Sequence, residues 1–213
     1  MKKLPIATIL VLSVFGGYAQ KVNQKYDTGF LSMFSKISFQ RASQNLPILR
    51  RWNQNIRIFL ESKETKKTIQ QSIDINKIVP LLNGITITWV SDKNDANYLI
   101  EIDTIGSNHY YLSYDRDGNI YKCLVTINKK ISFSIPDQLR VIRNYFLTSL
   151  GHFYFPRNVK FSSVNSCLYS LLNDITEFDE KVIQLEYSNE LKAGMTIQEF
   201  RGLLATGTIN TNK

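Results

Sequence analysis

The stretch SIPDQLRVIRNYFLTSLGHFYF, residues 134–155, decides the fold that we predict for this chain. Its apolar residues recur at the spacing of one amphipathic helix, as the stripe Leu139, Ile142, Phe146 and Leu150. Ser134 is a favourable N-cap, and Pro136 and Asp137 suit a first turn. Gly151 stands where a left-handed residue commonly ends a helix. We therefore predict one long helix that begins after Ser134 and ends at Gly151.

Short strands precede this helix. Ile56, Ile58 and Leu60 alternate with less apolar neighbours and predict a first strand over residues 52–61. A helix is expected over residues 68–82, with Pro80 kinking or ending it near Val79. The remaining strands are predicted over residues 85–90, 97–103, 110–114 and 118–128, with the last two forming a hairpin around the turn 115–118.

Helical signals also flank this region. Residues 20–50 carry apolar side chains near helical spacing, which indicates either a short helix or a loose N-terminal arm. Thr176 and Thr196 each open a capping box, so helices are expected through Tyr187 and Leu204. The prediction is an α+β fold in which a mixed sheet packs with two long helices and a helical C-terminal part. The main domain is expected over residues 51–205, followed by a frayed polar tail, residues 206–213.

The first 19 residues have the pattern of a signal peptide. Lys2 and Lys3 precede an apolar run that is too short for a membrane span, and Ala19 ends a small-x-small site. The alternative is a buried helix or a retained anchor. Cleavage after Ala19 predicts a secreted or periplasmic protein that begins at Gln20 and keeps no transmembrane segment.

The net charge of the chain indicates which classes of binding partner to expect. The chain has a net charge of +8, and loss of two lysines with residues 1–19 leaves +6 (8 − 2). A basic surface is compatible with acidic glycans or membrane headgroups, or is simply solvated. No arginine-rich run or aromatic motif indicates nucleic acid. The chain has two cysteines, Cys123 and Cys167, and export would permit either a disulfide between them or two free thiols.

A resemblance to a known family rests on motifs around the helix and after it. The order of strand, helix, several strands and a helix ending in Leu150-Gly151 resembles the catalytic domain of zincin metallopeptidases. Leu150-Gly151, the segment 175–187 and Leu191-Lys192-Ala193-Gly194-Met195 together resemble secreted bacterial domains of unknown function that are similar to divergent zincins. In that family a Leu-Tyr pair and a proline stand where this chain has Glu186-Tyr187 and Ala193. The resemblance covers residues 50–204 and implies that this later stretch packs under the helix.

The zincin motif itself is degenerate in this chain. Two histidines one helical turn apart hold zinc in that motif, and a glutamate between them is the base. Aligned on Gly151, the two ligand positions carry Asn144 and Thr148, and the base position carries Tyr145. Tyr154 stands where a third ligand would come. None of these side chains replaces imidazole or carboxylate, so we predict no metal, no cofactor and no catalytic residues here.

Only two histidines remain for other chemistry, His109 and His152. They exclude a three-histidine site but leave open a site made of both histidines with Asp103 or Asp115. The chain also lacks a Gly-x-Ser-x-Gly elbow, a phosphate-binding glycine loop and a dinucleotide fingerprint. Cys123 falls within an apolar strand and is expected to be an inert thiol.

Three functional readings follow. The first is a non-enzymatic secreted domain that binds an extended peptide, or a surface glycan, in a cleft between a sheet edge and the long helix. The cleft would be lined by aromatic residues and one histidine, namely Tyr110, Tyr114, Tyr154 and His152, although core packing would also explain the aromatic residues. The second is a divergent hydrolase or peptidase with a rearranged site near His152. The third is electrostatic attachment to anionic glycan or membrane.

Overall fold

The structure is a computed structural model, and it describes residues 26–39, 47–61, 69–70, 73–103, 105–132, 134–155, 175–209 and 211–212. The predicted signal peptide and Cys167 lie outside these residues. The strands are β1 Tyr26–Asp27, β2 Arg51–Trp52, β3 Ile56–Leu60, β4 Ile87–Trp89, β5 Tyr98–Asp103, β6 His109–Tyr114, β7 Asn119–Asn128 and β8 Thr211–Asn212. The α-helices are α1 Thr28–Phe39, α2 Ile75–Ile78, α3 Ile135–Gly151, α4 Glu177–Glu186 and α5 Ile197–Ala205.

The main sheet is parallel except at one edge. Its strands lie in the order β6, β7, β5, β3, β4, and β2 pairs in parallel with the first two residues of β7. β6 runs antiparallel to β7 because the Asp115–Gly118 turn joins them directly. The expected α+β class with a mixed sheet is therefore confirmed.

Helix α3 begins after Ser134 and ends at Gly151, as predicted, but the left-handed residue at its end is not the expected one. The Ser134 side chain accepts a hydrogen bond from the backbone N–H of Asp137 and caps the helix. The left-handed residue at its C-terminus is His152, with φ of 51°, and the prediction for Gly151 was wrong. Gly151 stays helical and is needed for space, since a Cβ there would lie 2.2 Å from the buried ring of Phe153.

Two other sequence predictions are corrected. Within the helix predicted over residues 68–82, residues 69–70 are helical, helix α2 follows after a break at residues 73–74, and Pro80 lies in a 3₁₀ turn, Val79–Leu81. Residues 68, 71 and 72 lie outside the described residues, within which α3 is the longest helix. The C-terminal tail is not wholly frayed, because β8 pairs in parallel with β1 and Ile209 is buried.

Local signals for the other elements are confirmed. Residues of β3 alternate between buried and more exposed positions, and both capping boxes form at Thr176 and Thr196. The described part of residues 20–50 contains helix α1. Its aromatic face enters the common core, where Phe34 and Phe39 contact Phe200 of α5.

The end of α3 is tied to the strands and to α4 by hydrogen bonds. The hydroxyl of Tyr187 donates to the Leu150 carbonyl at 2.6 Å and accepts from the Trp52 backbone N–H at 3.2 Å. The indole N–H of Trp52 donates to the Ser149 carbonyl at 3.1 Å. All of these groups are buried, so they fix the C-terminal turn of α3 against β2.

Candidate functional site

Three residues of α3 were aligned with the zincin motif by resemblance, and one of them, Tyr145, lies on the side of the helix that meets β6. Asn144 and Tyr145 are half-buried, and Thr148 is buried. The ring of Tyr145 packs against Tyr110 of β6, with centroids 5.2 Å apart. An aromatic contact thus occupies the junction between the helix and the edge strand.

His152 continues this contact beyond the helix. Its left-handed backbone places the ring 6.4 Å from the ring of Tyr110 and 5.9 Å from that of Tyr114. Burial and the nearby Arg50 cation lower the pKa of His152 to about 4. Its Nδ1 is buried and has no hydrogen-bond partner in the described part of the chain. The imidazole is therefore neutral at physiological pH and a weak base.

Arg50 completes the cluster, and the sequence analysis missed it. Its guanidinium carbon lies 3.9 Å above the ring centroid of Tyr114, within cation–π distance. The residue is only 3% exposed, and burial lowers its pKa. Neither Nε nor Nη1 meets a hydrogen-bond acceptor among the described residues. We call Arg50, Tyr110, Tyr114, Tyr145 and His152 the edge cluster.

The backbone around Arg50 is held on both sides. Leu49 donates to the Met195 carbonyl at 2.8 Å and accepts from the Gly194 N–H at 2.9 Å, while Arg51 donates to the Gly118 carbonyl. Gly118 has a positive φ, and a Cβ there would lie 2.6 Å from the Leu49 carbonyl oxygen. This close packing positions Arg50 before β2. No signal in the sequence marked Arg50, because it precedes both β2 and the strand predicted over residues 52–61.

The other predicted site residues lie elsewhere. The Nδ1–H of His109 donates to the Ser107 carbonyl at 2.7 Å, and its ring packs against Tyr111. Side chains alternate along β6, so His109 faces away from Tyr110 and the edge cluster. Tyr154 is 46% exposed, and its backbone N–H donates to the Ile37 carbonyl.

The cysteine and carboxylate candidates do not join the edge cluster either. Cys123 is a buried free thiol, and burial raises its pKa to about 12. Asp115 accepts hydrogen bonds from the backbone of its own turn. No group of three or more His, Cys, Asp or Glu side chains within the described ranges is arranged to hold a metal ion.

A second group of polar side chains surrounds Arg51, which lies in β2 and is half-buried. Arg51 donates from Nη1 to the carbonyls of Glu186 and Ser188, at 2.8 and 3.1 Å. The Glu186 carboxyl is fully buried and accepts from the Ser38 hydroxyl at 2.9 Å. Burial raises the pKa of Glu186 to about 8, and the Ser38 hydrogen bond and the Arg51 charge oppose that rise. We call Ser38, Arg51, Glu186 and Ser188 the core cluster.

Comparisons with known proteins do not identify a family. No protein-family model matches the chain, and no curated protein matches its sequence significantly. A search of the described helices finds none with the length and apolarity that a membrane crossing requires.

Proposed function

We propose that this protein is an exported, non-catalytic domain with a zincin-like scaffold, and that it binds an extended peptide along β6. The scaffold is supported by the element order, which runs from strand to short helix, through further strands, to the long helix α3. Export is inferred from residues 1–19 alone. Intact mass of the protein recovered outside the cytoplasm should correspond to a chain beginning at Gln20.

The observation that carries the binding proposal is the position of β6. In the part of the chain that the structure describes, β6 pairs with β7 alone, which leaves its other edge free. Such an edge presents backbone N–H and C=O groups that an extended peptide can pair with. The edge cluster lies beside it and offers aromatic surface for alternate side chains of the peptide.

The chemistry of the edge cluster supports binding rather than hydrolysis. Tyr145, at the position of the zincin base, packs against Tyr110 and has its pKa raised by burial. His152 is neutral, and the charged residue recorded beside it is the cation Arg50. A divergent hydrolase centred on His152 would need a base of higher pKa. We expect His152→Ala to leave any trace activity on peptide and ester panels unchanged.

Electrostatic attachment to anionic glycan or membrane remains a separate prediction from the charge of +6. It would weaken steeply as salt rises, because exposed charges are screened over about 10 Å at 0.1 M salt. Peptide pairing along β6 would depend much less on salt. Binding measured at two salt concentrations therefore distinguishes these two mechanisms.

The experiment is a selection of seven-residue peptides from a displayed library against residues 20–213. A selected peptide is then resynthesised with backbone N-methyl groups at alternate positions, in two complementary sets. In a paired strand only alternate residues direct their N–H toward the neighbour. We expect one set to abolish binding and the other to preserve most of it.

Equal effects of the two N-methylated sets would contradict strand addition. The same holds if amide hydrogen exchange in β6 does not slow when the peptide is bound. If no peptide is enriched while the folded protein binds a glycan, the peptide proposal fails.

A further inference from the structure

We propose that the edge cluster recognises a carboxylate of the bound peptide through Arg50, at the Tyr114 end of β6. This inference rests on the proposed peptide binding for the identity of the ligand. The carboxylate comes from either an acidic side chain or the C-terminus of the peptide. Both present the same planar pair of oxygen atoms, which a guanidinium binds with two parallel hydrogen bonds.

The first argument is that Arg50 is buried without an anion. Arginine keeps its charge in proteins, and a buried charge is normally paired and hydrogen-bonded. Arg51, the next residue, follows this rule by donating to two carbonyls. Arg50 does not, since Nε and Nη1 lack acceptors among the described residues. Nε forms one edge of the guanidinium with Nη2, and Nη1 forms the other edge with Nη2, so either edge offers a carboxylate one of these unpaired donors.

The second argument is that the site is already organised. Tyr114 stacks on the guanidinium plane, and the backbone on either side of Arg50 is hydrogen-bonded to Met195, Gly194 and Gly118. A ligand would therefore order few additional side chains, which lowers the entropic cost of binding. His152 adds an unpartnered ring nitrogen beside the same tyrosine.

The third argument concerns access and direction. Tyr114 and His152 are only half-buried, so the cluster reaches the surface at the Tyr114 end of β6, whereas Nε and Nη1 of Arg50 are buried beneath it. A peptide paired with β6 would pass this point. Its residue beside Tyr114 would then meet a positive charge that has no counter-ion within the described part of the chain.

The first test uses acetate alone, so that it does not depend on any peptide. Protein with ¹⁵N-labelled arginine is titrated with sodium acetate, and sodium chloride serves as the control for ionic strength. We expect the Nε–H signal of Arg50 to shift with acetate and not with chloride. The Arg50→Gln variant identifies that signal by its disappearance.

The second test uses a selected peptide as the free acid, as the C-terminal amide, and with each Asp or Glu replaced by its amide. We expect one of these changes to weaken binding about thirtyfold, and that change identifies the source of the carboxylate. Arg50→Gln should weaken the parent peptide equally and leave the neutral peptide unaffected. Arg50→Lys keeps the positive charge but lacks the paired N–H donors of the guanidinium. It should therefore lose less affinity for the parent peptide than Arg50→Gln loses.

Arg116→Gln is the matched control, because Arg116 is exposed in the adjacent turn and carries the same charge. It should change affinity less than twofold. Circular dichroism melting of each variant checks that the protein is folded. An amide peptide that binds as well as its acid, together with no acetate shift at Arg50, would overturn the carboxylate site even if peptides bind along β6. An acetate shift without any selected peptide would support the carboxylate site and count against the proposed function.

Discussion

Arg50 and Arg51 are adjacent in sequence and end in opposite situations. Arg51 enters the core cluster, where two backbone carbonyls accept its hydrogen bonds beside the buried Glu186. Arg50 enters the edge cluster, where it stacks on Tyr114 and its Nε and Nη1 find no acceptor in the described residues. The comparison separates a half-buried cation, whose donors are paired within the fold, from a buried cation whose unpaired donors we propose for a ligand.

The largest expected effect is the loss of Arg51. Arg51→Met removes two charge-assisted hydrogen bonds to backbone carbonyls, and we expect it to lower the free energy of unfolding by about 4 kcal/mol. Urea denaturation at pH 6 measures the change. A loss below 1 kcal/mol would mean that the core cluster does not hold α4 to β2.

The second effect is the pH dependence that Glu186 gives to stability. Its pKa is about 8 in the folded protein, above the ordinary value of 4.5. Between these values the folded state keeps a proton that the unfolded state has lost, so stability falls as pH rises. We expect Glu186→Gln to remove about 3 kcal/mol of this fall between pH 4.5 and pH 8.

The pKa of His152 gives stability the opposite pH dependence, so this residue provides the control. Its folded pKa of about 4 is below the ordinary 6.5, so its contribution to stability is lost as pH falls from 6.5 to 4. His152→Ala should remove the loss of stability between pH 6.5 and pH 4. It should not change the loss of stability above pH 6.5. Urea denaturation at half-unit pH steps measures both variants. Parallel curves for the wild type and Glu186→Gln would contradict the assignment to Glu186.

The third effect tests the junction of the two clusters. Leu150 accepts the Tyr187 hydrogen bond near the core cluster, and His152 lies in the edge cluster, with Gly151 between them. Gly151→Ala would force its Cβ against the buried Phe153 ring and should cost about 2 kcal/mol. Thermal melting of the wild type and the variant measures this loss of stability.

Gly202→Ala is the matched control for this junction. A Cβ at Gly202 in α5 meets nothing within 4 Å, so alanine should be neutral or slightly stabilising there. Equal losses at both positions would show that the contact with Phe153 is not the cause.

The smallest effect is expected at Arg50 itself. Arg50→Met replaces a buried cation that lacks acceptors by an apolar side chain, so we expect a gain of about 1 kcal/mol in the free energy of unfolding. Its sign is opposite to that of Arg51→Met, and urea denaturation compares the two directly. A loss of more than 1 kcal/mol would mean that Arg50 supports the fold, and the comparison of the clusters would fail.

Much of the local structure could be predicted from the sequence. The N-cap at Ser134, both capping boxes and the hairpin turn depend on residues within four positions of one another, so their chemistry is readable in the chain. The candidate site was partly readable as well. The zincin resemblance, aligned on Gly151, implied Asn144, Tyr145 and Thr148, and Tyr110 and Tyr114 were expected as aromatic residues beside the long helix.

Only the tertiary structure decided how distant residues meet. The partners of Arg51 are 135 and 137 positions away in the sequence. β8 pairs with β1, although these strands lie at opposite ends of the described chain. The left-handed residue is His152 and the ring of Phe153 packs over Gly151, and helical propensity reveals neither fact. Local sequence specifies turns, caps and strand faces. The pairing of a buried charge depends on which distant groups the packed fold brings to it, and this separates Arg50 from Arg51.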